Sequence, residues 1–105
     1  MEEQSGNIFF RKNVLEKGQI TGNHKHNFDH TTLVVFGAIH VKAKLLDGRV
    51  LEQDFYPGEH FLVLANAEHE ITSLENNTLF LCIYSHRNPQ GEVVQQNIGW
   101  HKAYV

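Results

Sequence analysis

Turn signals recur along this chain at short, regular intervals, and the residues between them are those that favour β-strands. Asp47-Gly48 separates Lys44-Leu45-Leu46 from Arg49-Val50-Leu51. An Asp-Gly pair in that setting predicts a hairpin whose two central residues tolerate positive φ. Pro57-Gly58, Asn66-Ala67-Glu68 and Glu75-Asn76-Asn77 predict three further reversals. Extended segments are expected over Asn7 to Val14, Thr31 to Val35, Ala38 to Leu46, Phe61 to Ala65, His69 to Leu74 and Thr78 to Tyr84, with Gly37 bending the chain. Gln19-Ile20-Thr21 lies between two glycines, and Val93-Val94 offers a short additional strand. No stretch of helical length carries an apolar stripe with caps, which excludes a parallel sheet built on crossover helices. About eight to ten short strands in one small chain predict an all-β barrel or sandwich.

The 105 residues suit a single domain spanning 1–105. A chain of this size buries roughly 65% of its unfolded surface, enough for one core without a covalent staple. Apolar residues make up 41% and charged residues 20%, the balance of a soluble globular protein. The longest apolar runs, Leu33 to Ala38 and Leu79 to Tyr84, are too short to cross a bilayer, so no membrane association is expected. Glu2, Glu3, Gln4 and Ser5 form no basic or apolar leader, and no signal peptide is expected. Cys82 is the sole cysteine, which excludes an internal disulfide and fits a reducing, cytoplasmic compartment. Its apolar neighbours predict a buried, inert thiol in preference to a nucleophile. Nine Lys and Arg against 12 Asp and Glu give a net charge of −3, with the basic residues scattered. Without a basic patch to neutralise phosphates, nucleic acid is not an expected partner.

Histidine is the outlier: there are eight, three of them between positions 24 and 30. In a strand His24 and His26 would share a face with Cα atoms about 6.5 Å apart, close enough to bind one metal ion. His30 would stand about 13 Å from His26 in a straight strand, too far to share that ion. Asn27 and Asp29 are turn-prone and supply the bend that could bring it back. His69 opens a later strand and joins the others only through tertiary closure. An isolated His-X-His pair is commonly no metal site, and the third nearby histidine strengthens the case. His40 lies among Ile39, Val41 and the basic Lys42 and Lys44, so it is expected to face solvent. His60 adjoins the Pro57-Gly58 turn, His101 lies in the tail, and His86 ends a strand where it could line a barrel mouth.

This arrangement resembles the cupin superfamily, small β-barrels also called double-stranded β-helices or jelly rolls. The first cupin motif runs from a glycine to a His-X-His pair, a glutamate and a second glycine. Gly18, His24, His26 and Gly37 fall at its spacings, and His30 stands where the glutamate is usual. In the second motif Gly58 and His69 match, while Leu64, Asn66 and Ser73 occupy the proline, glycine and asparagine positions. The resemblance covers roughly Phe9 to His86. It implies a cupin-type double-stranded β-helix with a divalent transition metal (iron, manganese, nickel, zinc or copper) held by His24, His26, His30 and His69. Histidine at position 30 removes a negative charge from the metal's ligands. It also removes a group that some cupin dioxygenases use as a base.

Two functional classes follow. One is an enzyme of dioxygenase, isomerase or lyase type that acts on a small polar organic molecule at the metal, with Tyr84 or His86 supplying a proton. Phe80, Cys82 and Tyr84 share a face that, with Thr32 and Val34, would line the pocket or pack the core. The other is a non-catalytic binding or structural module with a structural metal or none. An open coordination position separates them, because structural sites are closed and catalytic ones are not. Pairing through sheet edges would give a homodimer. Ile8-Phe9-Phe10 or the Trp100 tail could cover such an edge, and Lys42 and Lys44 could protect one.

Overall fold

The computed structural model describes residues 2–21, 28–85 and 87–93, with the backbone alone for 2–5. Its described strands are β1 (Glu2–Ser5), β2 (Ile8–Leu15), β3 (His30–Phe36), β4 (Ile39–Lys44), β5 (Val50–Phe55), β6 (His60–Val63), β7 (Glu68–Ser73) and β8 (Thr78–Ser85). No helix occurs among the described residues. The strands form two antiparallel sheets, a five-stranded one ordered β1-β2-β8-β3-β6 and a three-stranded one ordered β5-β4-β7. Outside the named strands, Ile20 bridges Thr72 and Arg87 bridges Val93.

Alternation along each strand decides what enters the space between the sheets. On β3, His30, Thr32 and Val34 are buried. On β7, His69, Ile71 and Ser73 are buried. Val34 and Phe80 of the larger sheet meet Ile39, Val41 and Ile71 of the smaller one, with Leu15, Phe55, Phe61 and Cys82 packed around them. Each fully buried apolar side chain of this kind contributes roughly 1.5–3 kcal/mol.

The turns follow the sequence, with one change of geometry. The β4–β5 hairpin closes through Leu46-Asp47-Gly48, with hydrogen bonds from Leu45 N–H to the Arg49 carbonyl (2.8 Å) and from Gly48 N–H to the Leu45 carbonyl (3.0 Å). Only Gly48 takes positive φ there (89°), so the loop has three residues, not the two-residue turn that needs both central residues left-handed. Gly37 also has positive φ (78°), and a Cβ at that position would lie 2.8 Å from the Thr78 Cα. It therefore serves both the chain bend after β3, where the β3–β8 register shifts, and the close approach of two backbones.

Two edge expectations are corrected. Lys42 and Lys44 lie on β4, the central strand of the smaller sheet, and so protect no edge. Lys42 pairs across the strands with Glu52 and Glu70, and Lys44 with Glu68, so a basic row runs between two acidic ones. Ile8, Phe9 and Phe10 likewise cover no edge, because β2 pairs with β1 on one side and β8 on the other. His40 faces outward at the head of the basic row, as expected. Its Nδ1 lies 2.7 Å from Asp54 Oδ1 and its Nε2 3.1 Å from Glu52 Oε1. Only the doubly protonated ring donates to both carboxylates. The bonds to Asp54 and then Glu52 raise its pKa above the ordinary 6.5, against a smaller opposing effect of burial.

Gly37→Ala should therefore lower stability by roughly 2–4 kcal/mol in denaturant unfolding, combining strain and overlap. Gly48→Ala, whose Cβ meets nothing within 4 Å, should cost only about 1–2 kcal/mol. In an NMR titration His40 should show a midpoint above 6.5 that falls in Asp54→Asn. Because the folded pKa is the raised one, the stabilisation is complete below the unfolded value and is lost as pH rises through the folded value.

Candidate functional site

His30 and His69 enter the barrel from opposite sheets. His30 opens β3 opposite Val63, and His69 lies on β7 opposite Ala43. Both are buried, at 4% and 2% exposure. Their rings lie in tilted contact, with centroids 5.4 Å apart and planes at 57°. The bend expected before His30 is present at Phe28-Asp29, and it is fixed by Asp29, whose carboxylate accepts the Ala65 N–H at 2.7 Å. That bond ties the entry to β3 to the turn that precedes β7. It brings the segments carrying the two histidines together.

His69 is oriented from its own strand. Its Nδ1 lies 3.3 Å from the Ala67 carbonyl, and an Nδ1–H donated there places the ring's lone pair on Nε2. A backbone carbonyl in this position is the usual partner of a metal-ligating histidine. The turn before β7 needs a left-handed residue, and Asn66 supplies it with φ of 63°. Asparagine stands here in the second motif's glycine position and is one of the few other residues that tolerate this conformation.

His24, His26 and His86 lie outside the described residues, as do Trp100 and His101. The described chain leaves β7 at Thr21, whose N–H bonds the Ile71 carbonyl at 2.9 Å, and resumes at Phe28, whose ring centroid is 6.3 Å from that of His30. Thr21 thus bonds β7 two positions from His69, and Phe28 contacts the His30 ring. Among the described residues no group of three or more His, Cys, Asp or Glu side chains is placed to hold an ion. The described part of the chain therefore offers two imidazoles.

Of the two readings of the face that Phe80, Cys82 and Tyr84 share with Thr32 and Val34, core packing holds for the innermost residues. Thr32, Val34 and Phe80 are buried at 0–1% exposure and pack the core. Cys82 shares a 3.7 Å contact with the Thr32 hydroxyl, and burial pushes its thiol pKa up, which keeps it protonated and inert. Tyr84 stacks between Phe9 and Phe28, at centroid distances of 5.1 and 4.6 Å, and lines a recess with Arg87. Phe28 thus contacts both the Tyr84 and the His30 rings. The cavity beside His69 is lined instead by β4, β5 and β6, including Val41, Ala43, Leu51, Phe55, Phe61 and Val63. β5 contributes to this lining although Val50 to Asp54 are all exposed.

No family model matches the sequence, and no curated protein is significantly similar to it. Solved structures do match. An oxalate decarboxylase of Bacillus subtilis described for its Mn(II) centres superposes with a TM-score of 0.73 at 23% identity, over 87% of this chain and 24% of that one. The formate complex of Lactobacillus farciminis oxalate decarboxylase gives 0.72 at 23% identity, over 78% and 24%. KdgF from Halomonas sp. gives 0.69 at 20% identity, over 84% of this chain and 78% of that one. The chain thus spans about a quarter of the length of the oxalate decarboxylases it matches.

If the turn at Asn66 sets the start of β7, Asn66→Gly should leave stability nearly unchanged. Asn66→Val, β-branched at positive φ, should lose about 1–3 kcal/mol in denaturant unfolding.

Proposed function

We propose, on the premise that this chain has the cupin fold of those structures, that it is an enzyme acting on a small organic molecule at a divalent metal held by His24, His26, His30 and His69. The observation that carries the proposal is the burial of His30 and His69 beside each other from opposite sheets. Two buried imidazoles with ring centroids 5.4 Å apart suit a shared transition metal. The donor chemistry fits: all four candidates are neutral nitrogen ligands, and the Ala67 carbonyl orients one of them. The Mn(II) centres of the Bacillus subtilis enzyme and the formate bound to the Lactobacillus farciminis enzyme lend support by analogy of fold.

A divalent ion held there supplies Lewis-acid polarisation of a bound carboxylate or carbonyl. The chain's own groups set its character. Without a glutamate at position 30 the ligands bring no compensating charge, so the site favours an anionic ligand. Asp29 holds the His30 segment against the Ala65 backbone, outside the ligand set. Val41, Phe61 and Val63 give the cavity beside His69 an apolar lining. Tyr84 and His86 remain the proposed proton donors. We further propose one domain over 1–105, a cytoplasmic location consistent with a sole cysteine, and a homodimer paired through sheet edges.

Protein purified without an affinity tag should contain about one divalent metal per chain by elemental analysis. His30→Ala or His69→Ala should weaken metal binding by more than the roughly 10–100-fold that loss of an outer-shell partner costs. The double variant His24→Ala/His26→Ala should lose the metal; full occupancy there would contradict the proposed ligand set.

A further inference from the structure

The inward face of β5 is not packed. Alternation places Leu51, Gln53 and Phe55 on the same side as Ala43 and the core residues Val41 and Ile39 opposite them. Yet Leu51 is 53% exposed, although its neighbours across the strand pair point into the barrel. The space beside it is a cavity of about 480 Å³. It opens where β5 and β6, the outermost strands of their two sheets, diverge. Its closed end is the Phe55–Phe61 stack, with centroids 4.4 Å apart, next to the Tyr56–Glu59 turn. That turn is fixed to β3 by bonds between Val34 and the backbone of Gly58 and Glu59. His69 lies in the cavity wall.

The volume falls within the range of small-molecule sites. The lining is mainly aliphatic and aromatic. Among the described residues its polar members are Glu52, Gln53 and His69, and none is a lysine or arginine. A compact dianion would find no cationic side chain there and would leave the apolar walls facing water. A hydrocarbon chain or ring would cover them.

Resting on the metal site proposed above, we infer that this cavity takes the apolar body of an amphiphilic carboxylate, with the carboxylate directed to the His69 end. The ligand class is therefore a monocarboxylate carrying a hydrocarbon chain or ring, which narrows the small organic molecule proposed above.

Hexanoate, octanoate, decanoate and the neutral 1-decanol, titrated calorimetrically into chelator-treated and Mn(II)-loaded full-length protein, test this. In the chelator-treated protein, affinity should rise roughly three- to four-fold per added methylene. Leu51→Asp, at a half-exposed position that tolerates a polar residue, should weaken decanoate at least ten-fold while retaining a cooperative thermal transition. Mn(II) should then strengthen decanoate more than 1-decanol. Chain-length dependence without any gain from Mn(II) would support the cavity assignment and overturn the metal reading. Formate binding to the Mn(II)-loaded protein as tightly as decanoate, with no chain-length trend, would overturn the cavity assignment and leave the metal reading standing. Failure of every probe in both preparations would overturn the cavity assignment.

Discussion

The structure depends on one constraint, the strand register that turns a single face of each sheet inward. The inward row of β3 runs His30, Thr32, Val34, and that of β7 runs His69, Ile71, Ser73. Val34 and Ile71 belong to the core, and the two histidines extend the same rows. A slip of one residue in either strand would expose the core residue and the histidine together. Hydrophobic burial therefore enforces the meeting of the two imidazoles. The histidines need no interaction of their own to be brought within reach.

The core does not fill the whole space between the sheets. Val34, Ile39, Val41, Ile71 and Phe80 pack its interior, while the gap between β5 and β6 remains open beside His69. Phe55 and Phe61 stack on each other where the cavity lining meets the core. A site placed between a packed core and an open sheet margin gains precise walls from the first and access from the second. The outer face of the smaller sheet has a separate task. Its basic row of His40, Lys42 and Lys44 between acidic partners favours the order β5-β4-β7 over alternatives that would place like charges side by side.

Much of the fold was legible in the sequence because turn chemistry is local. Pro57-Gly58 and Glu75-Asn76-Asn77 mark reversals where expected, and Gly37 bends the chain after β3. Gly58 and Asn77 take positive φ at those reversals. β1 was missed, since Glu2 to Ser5 carries no apolar alternation and is recruited by pairing with β2. Strand order was also illegible, and that is why Lys42 and Lys44 looked like edge residues. For the site, spacing indicated that His30 needed a bend, but the Asp29–Ala65 bond that fixes it joins positions far apart in the chain. The same holds for the cavity, whose walls come from strands far apart in the chain that only tertiary pairing brings together. Asn66 is the instructive departure: a mismatch by residue type to the second motif, it matches by backbone conformation.

The central claim is that closure of the two sheets assembles a histidine-only metal site. X-ray absorption at the K-edge of the metal bound to tag-free protein tests it most directly, because imidazole rings give a distinctive multiple-scattering pattern. The account predicts a first shell of about four imidazole nitrogens near 2.0–2.2 Å, with His30→Ala and His69→Ala each removing one. A shell of oxygen ligands with no imidazole scattering, or one unchanged in both variants, would contradict it.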